Sequence, residues 1–341
     1  MIRRSKICFN LKFCITTRLA PEPFRLKPNL SILSAIDRNG PQPHQLHRWA
    51  VGLWIKKEEK EGDVFRNQIK RRASADASSE VSSETSSEAS VEESPDLIRD
   101  VNWTKEAYKI SSKLIAYATA IHRSQFRVFS FSVVLFGKIG RLLRWDRSGI
   151  IFTEPFNWYE QQDTLFEFLW RLNHLPDVDH GYDTTVTSVA DDEAKAALPR
   201  LRNYPGLEKL EEKHLHKFLV RDDGTPKGRV KYYITSCVIW DSESLFGRST
   251  VGYIGYDMET TNLVYLKDFW RTDLPGIQKE GDVYRELHSA QVPNIARLGL
   301  AGDVPRTPGS VDTEPGDVQR TRTQDFGGGP GRARVDSYVH Y

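Results

Sequence analysis

The sequence predicts an α+β protein in which antiparallel sheets are covered by a small number of helices. Apolar residues recur at three- and four-residue spacing over 105–122, which is the period of a helix. Aromatic and β-branched residues fill several short runs that are separated by glycine-containing turns, a pattern typical of strands in hairpins and meanders. Both patterns begin after residue 97, so order is expected from there onwards.

Residues 1–96 are predicted to be disordered or of low complexity. Residues 1–27 carry seven Lys or Arg and one acid, Glu22. Residues 74–94 repeat Ser-Ser-Glu three times at a four-residue period and carry five Glu, one Asp and no base, as in a solvated acidic linker. The basic start loosely resembles a mitochondrial targeting sequence but lacks a helical stripe, so a cytoplasmic or nuclear location is expected.

Residues 97–224 are predicted to form a small module of helices and a β-meander. The predicted elements are a helix at 105–122, strands at 126–135, 141–146 and 149–153, and a helix at 163–174. The sequence Asp-Arg-Ser-Gly at 146–149 joins two of these strands. Asp at the start of a turn and Gly at its end are ordinary turn chemistry, so we interpret Asp146 and Arg147 as turn residues.

A second β-rich block is predicted at 225–304, followed by an unstructured tail at 305–341. The predicted elements are strands at 230–240, 250–258 and 263–270 and a helix at about 277–290. After Asp303 the composition changes to Gly, Pro, Thr and Arg without a hydrophobic period. A strand carrying an embedded lysine, Lys267, comes directly before the helix.

The two blocks contain four distinctive stretches, FRVFSFSVVLFGKIGRLLRWDRSGIIFTEPF, GYDTTVT, LFGRSTVGYIGYDMETTNLVYLKDFWR and KEGDVYREL. These stretches resemble the fungal-type protein kinase family. The resemblance covers about 97–304. It implies that residues 225–304 form a kinase-like amino-terminal lobe, an antiparallel sheet with one helix, preceded by the smaller module.

The resemblance also implies roles for individual residues. Lys267 matches the lysine that contacts nucleotide phosphates, and a glutamate on the next helix would hold it. Glu280 is the expected partner and Glu286 the alternative, because the helix register is open. The implied nucleotide-binding residues are Gly247, Arg248, Ser249, Thr250 and Lys267. This loop lacks the GxGxxG pattern, so close backbone approach to phosphate does not follow from the sequence.

The residues that would perform phosphoryl transfer are missing from this sequence. Kinase chemistry needs a catalytic-loop Asp and an Asn five residues later. After Lys267 the one asparagine is Asn294, and Ser289 stands five residues before it. Asp325-Phe326-Gly327 spells the magnesium-binding triplet but lies in a Gly/Pro/Arg stretch, so we interpret it as chance. ATP and Mg²⁺ are therefore expected only if a further lobe is present, and no transferase activity is expected from this chain alone.

Two other interpretations stay open. The chain could be a non-enzymatic interaction protein that engages a protein partner through an exposed lobe face, or a fragmentary gene model of an active kinase. Neither a nucleic acid nor a membrane partner is expected. The net charge is +2, and the three cysteines show no metal-ligand spacing, so no metal site is predicted.

Overall fold

The computed structural model describes residues 11–14, 30–34, 49–56, 105–224, 228–242, 244–306, 317–323 and 335–340. In these residues the protein is a mixed α+β fold built on two sheets, which confirms the predicted fold class. Each sheet has its own hydrophobic clusters, and helices pack against both.

The first sheet contains the predicted meander. Its strands are β1 (Leu11–Cys14), β2 (Leu30–Ser34), β3 (Trp49–Lys56), β4 (Ser130–Phe136), β5 (Ile139–Asp146), β6 (Gly149–Phe152) and β7 (Phe156–Asn157). They lie in the order β1 to β6, with β7 paired to β5. Strand β3 runs parallel to β4, whereas the other described pairs are antiparallel. Strands β1 to β3 lie within residues 1–96, for which the sequence predicts disorder or low complexity, and that prediction for the whole segment stays a prediction.

A helix covers each face of the first sheet. Helix α1 (Lys105–Gln125) places Ile110 and Leu114 against Val134 of β4. Helix α2 (Gln162–His174) places Leu169 and Leu172 against Val133, the neighbouring residue of β4. Because successive strand side chains point to opposite faces, this one strand supplies both cores.

The second sheet carries the residues that the sequence singled out. Its strands are β8 (Val186–Thr187), β9 (His216–Arg221), β10 (Val230–Asp241), β11 (Val251–Asp257), β12 (Leu263–Thr272), β13 (Gly302–Asp303) and β14 (Val335–His340). They lie in the order β13-β14-β12-β11-β10-β9-β8, and the pairs are antiparallel. Helix α3 (Asp191–Leu201) covers one face, and helix α4 (Glu280–Ser289) follows β12.

The second sheet begins upstream of residue 225, where the sequence predicts a boundary. Residues 216–221 of β9 pair with residues 230–235 of β10, and β8 pairs with β9. Helix α3 also packs on this sheet, through Ala194 and Ala197 against Ile234. The segment 183–224 therefore belongs with the second sheet. Strand β9 is short and mixes charged with apolar residues, so its residues show no clear strand pattern.

Part of the predicted unstructured tail is ordered against the two sheets. Pro305 and Val318 form a β-bridge, and the backbone N–H of Gln319 donates to the carbonyl of Val304 at 2.9 Å. Strand β14 pairs with β12. Residues 317–323 and 335–340 lie within the predicted tail and make these backbone contacts, and the prediction for the tail as a whole stays a prediction. Asp325 to Gly327 lie outside the described residues.

Candidate functional site

Lys267 occupies the face of β12 opposite to that of its buried neighbour. Leu266 packs in a cluster with Tyr253 and Leu300. Strand alternation therefore directs Lys267 to the other face of the sheet. Its cross-strand partner on β11 is Gly252, which has no side chain to cover it. The Lys267 side chain is 27% exposed, so it is neither sequestered nor fully solvated.

Glu280, the first residue of α4, holds the ammonium group of Lys267. The Lys267 Nζ donates to Oε1 of Glu280 at 2.6 Å and to Oε2 at 2.8 Å. Glu286, the alternative in the sequence analysis, instead accepts a hydrogen bond from the side chain of Gln278 at 2.8 Å. The structure therefore brings Glu280, and not Glu286, to Lys267.

Charged residues on both sides of α4 hold its first turn in place. The Asp303 carboxylate of β13 accepts two hydrogen bonds from Arg271 at 2.8 Å and lies 2.9 Å from Nζ of Lys279. Lys279 also contacts Asp223. Burial acts to raise the pKa of Asp303, but the hydrogen bonds from Arg271 and Lys279 outweigh it and lower this pKa below its usual range.

Arg248 is the member of the predicted phosphate loop that reaches the lysine pair. Its guanidinium lies 4.6 Å from the ring centre of Phe269 and 3.4 Å from Oε2 of Glu280. Nζ of Lys267 lies 4.8 Å from the same ring. The buried Phe269 thus presents an aromatic face to two cations, an arrangement that is attractive in its own right.

The other predicted loop residues make contacts that hold the loop itself. The backbone N–H of Gly247 donates to the carbonyl of Arg147 at 2.8 Å. The Ser249 hydroxyl is buried and accepts a hydrogen bond from Arg147 at 3.0 Å. The carbonyl of Thr250 accepts from the N–H of Ser242 at 3.1 Å. Their predicted role in nucleotide binding stays a prediction, but their contacts fix where Arg248 stands.

A cavity of about 1110 Å³ opens beside Lys267 and Glu280. One wall is the stretch 263–267 of β12, on the edge that the described part of β14 leaves unpaired. The segment 296–300 and Tyr284 of α4 form another wall. At the far end stand Arg229, Lys231 and Asp257.

Comparison with known proteins identifies the family. The model of the fungal protein kinase family matches residues 69–323, which is most of the chain. This chain belongs to the fungal protein kinase family. The match covers the elements from α1 to β13, and with them Lys267, Glu280 and Arg248. No curated protein and no solved structure matches the chain.

Membership of this family supports a kinase-like function in the coarse sense.

Among the residues that the structure describes, no group of three or more His, Cys, Asp or Glu side chains could hold a metal ion. In the same residues no helix is long and apolar enough to span a membrane. The predicted protein partner stays a prediction. Exposed apolar side chains on the second sheet include Val238, Ile239 and Trp240 of β10.

Two features of the site were not expected from the sequence. Phe269 supports both cations, and its position two residues after Lys267 on the same strand was the available signal, since such residues share a face. The turn at 146–149 contacts the loop that carries Arg248. The sequence pattern of that turn predicts local turn chemistry alone. Its Asp146 does close the turn, by accepting the N–H of Ser148 at 3.0 Å, and no local pattern indicated the distant contacts.

Proposed function

We propose that the site formed by Lys267, Glu280 and Arg248 binds the phosphates of a nucleoside triphosphate, with ATP as the ligand that the family suggests. The observation that carries the proposal is the Lys267–Glu280 pair at the wall of the cavity, in a chain of the fungal protein kinase family. A cavity of about 1110 Å³ lies just above the usual volumes of small-molecule sites, which are about 300–1000 Å³, so it has room for a nucleotide.

The donor set fits a phosphate. A lysine ammonium has three N–H donors and no acceptor, and Glu280 takes two of them. The third remains for a ligand oxygen. Glu280 restricts the rotamers of Lys267, so less conformational entropy is lost when a phosphate binds. Arg248 adds a second cation, with the planar donor fork that suits phosphate oxygens.

ATP, when bound, would supply the phosphoryl group that kinases transfer. The residues of this chain would bind and orient its phosphates. We further propose that the 341-residue chain on its own binds nucleotide without transferring phosphate, because no Asp-x4-Asn pair follows Lys267 in its sequence.

The test is ATP-analogue binding to the full 341-residue chain and to Lys267→Met. The wild-type protein is expected to bind, and the variant to bind at least about tenfold more weakly, a loss of about 1.4 kcal/mol. Lys213→Met is the matched control, because Lys213 is 66% exposed and pairs only with the nearby Glu211 among the ion pairs described. Equal affinities of Lys267→Met and wild type for the ATP analogue would contradict the proposal that Lys267 binds the phosphates.

The same assay separates the two glutamates. Glu280→Gln removes the charge that holds Lys267 and is expected to weaken binding several-fold. Glu286→Gln, the identical change six residues further along α4, is expected to have no effect. Transfer of labelled phosphate to a protein substrate is measured in parallel. Transfer that Lys267→Met abolishes would contradict the binding-only proposal.

A further inference from the structure

The turn between β5 and β6 contacts two segments that lie far from it in sequence. On one side it meets the loop 244–250, which follows β10. On the other side it meets residues 321–323. Asp146 and Arg147 at this turn are both buried, so the hydrogen bonds that they make to protein groups are shielded from water.

Arg147 clamps the loop 244–250. Its Nη1 donates to the carbonyl of Leu245 at 3.0 Å and to the hydroxyl of Ser249 at 3.0 Å. Its own backbone carbonyl accepts the N–H of Gly247 at 2.8 Å. Ser249 also donates to the carbonyl of Leu245 at 3.2 Å or to that of Ser244. Side chain and backbone of one residue therefore hold three successive parts of the loop.

The clamped loop places Arg248 over the site. Leu245 is buried in the core of the first sheet beside Trp145, which fixes the start of the loop. The N–H of Trp270 on β12 donates to the carbonyl of Arg248 at 2.8 Å, which fixes the second half of the loop. Between these anchors the Arg248 side chain crosses Phe269 and reaches Glu280.

Asp146 holds the turn from the opposite side. Its carboxylate accepts the backbone N–H groups of Arg322 at 2.9 Å and Thr323 at 3.0 Å, and the hydroxyl of Thr323 at 2.7 Å. It also pairs with Arg144 at 2.7 Å. The hydroxyl of Ser148 donates to that of Thr321 at 2.8 Å. The bonds to the Asp146 carboxylate are charge-assisted, and such bonds are among the stronger hydrogen bonds in proteins.

We propose that Arg147 is a positioning residue for the phosphate-binding site, acting through the loop 244–250, and that Asp146 and residues 321–323 lock it in place. The first sheet then serves the site on the second sheet by holding Arg248 beside Lys267 and Glu280. This inference deepens the proposed function and rests on it for the consequence on binding. Whether Arg147 holds the loop 244–250 in place can be tested without any ligand.

Hydrogen exchange of the full chain tests the clamp first. In Arg147→Met the amides of Gly247 and Trp270 are expected to exchange at least about tenfold faster than in wild type, because the carbonyls they donate to become mobile relative to them. Amides in β4, such as Val133, are expected to keep their protection. Equal protection at Gly247 and Trp270 in both proteins would overturn the proposal, since the loop would then hold its place without Arg147.

Two further variants, Ser249→Ala and Arg147→Lys, separate the loss of the hydrogen bonds from the loss of a buried charge. Ser249→Ala removes the hydroxyl that Arg147 contacts, without deleting a buried charge, and decides the question if Arg147→Met does not fold. It is expected to raise the same exchange rates by a smaller factor. Arg147→Lys keeps a cation that can reach one acceptor and is expected to restore part of the protection. Arg171→Met, the same change at an arginine 69% exposed on α2, is the control and is expected to match wild type.

Nucleotide binding then tests the consequence. ATP-analogue affinity is expected to fall at least about fivefold in Arg147→Met and to recover in part in Arg147→Lys. Unchanged affinity, with the loop amides exposed, would overturn the positioning role. If wild-type protein binds no nucleotide, the proposed function fails, and the exchange rates of Gly247 and Trp270 alone support or overturn the clamp.

Discussion

His122 is a buried histidine that the fold keeps among cations. It lies on α1 with 2% of its surface exposed, and its Nε2 is 3.0 Å from the hydroxyl of Ser130. Burial, followed by the nearby charges of Arg147, Arg127 and Arg144, lowers the pKa of His122 well below its usual value of 6.5. The folded protein therefore holds this imidazole neutral at pH values where the unfolded chain would protonate it.

The sign of the pH dependence follows from that difference. Below about pH 6.5 the unfolded chain binds a proton at His122 that the folded chain does not, so acid favours unfolding. The contribution of His122 to stability is complete above about pH 6.5. It falls by up to about 1.4 kcal/mol per pH unit below that value.

Denaturant unfolding between pH 5 and 8 measures this effect. His122→Gln is expected to lower stability at pH 8 but to flatten the decline below about pH 6.5, because glutamine takes up no proton. His214→Gln, at an exposed histidine, is the control and is expected to keep the wild-type profile. Parallel profiles for wild type and His122→Gln would show that His122 does not contribute to the acid sensitivity.

At the scale of elements, α4 depends on the ion network at its first turn. Asp303 is the centre of that network, with 8% of its side chain exposed and with Arg271 and Lys279 as partners. Removing one member of a buried charge cluster leaves the others without compensation, at a cost of about 3 kcal/mol. Because Lys279 directly precedes Glu280, loss of the network would also release the residue that holds Lys267.

Asp303→Asn tests this dependence. The variant is expected to lose about 3 kcal/mol of stability at pH 7 and to bind the ATP analogue more weakly. The stability difference should shrink as pH falls below about 3.8, because the lowered pKa of Asp303 means that its contribution is present above that value and lost below it. Asp282→Asn, at a carboxylate 48% exposed and paired with Arg285, should change stability by less than about 0.5 kcal/mol.

Strands with a strong local sequence pattern are predicted from the sequence, and segments held by distant partners are not. Strands β4 to β6 and β10 to β12 carry dense β-branched and aromatic runs, and their prediction agrees with the structure. Strand β9 and residues 317–323 carry no such run. They are held by partners distant in sequence, β10 and Asp146, and local patterns contain no information about those partners.

The same distinction applies to the site. The family motifs predict Lys267 and the helix that follows it. They do not predict which glutamate of α4 contacts Lys267, because that depends on how the helix is placed against β12. The structure shows that it is Glu280 and not Glu286. Arg147 contacts a loop about a hundred residues away in sequence. The Asp-Arg-Ser-Gly motif therefore predicts the local turn but not the loop that Arg147 holds.

At the scale of the whole molecule, the two sheets share core residues. Leu245, from the loop after β10 of the second sheet, is 2% exposed and packs in the core of the first. In the other direction Phe126, which follows α1, contacts Phe218 of β9 with ring centres 5.5 Å apart. An ion pair between Arg123 and Asp241 at 2.8 Å also joins the two halves. Because each core contains side chains from the other half, we expect the sheets to unfold in a single transition.

Leu245→Ala tests this coupling. The change removes buried methyl groups from the first core and is expected to cost about 2–4 kcal/mol. If the two sheets unfold together, hydrogen-exchange protection should fall by the same free energy in β4 of the first sheet and in β11 of the second. Leu263→Ala, at a leucine 38% exposed on β12, is the matched control and should leave both strands close to wild type. Loss of protection in β4 while β11 keeps its own would mean that the sheets are independent folding units. The clamp would then join two separately stable bodies, and Arg147 would control their relative position without contributing to a shared stability.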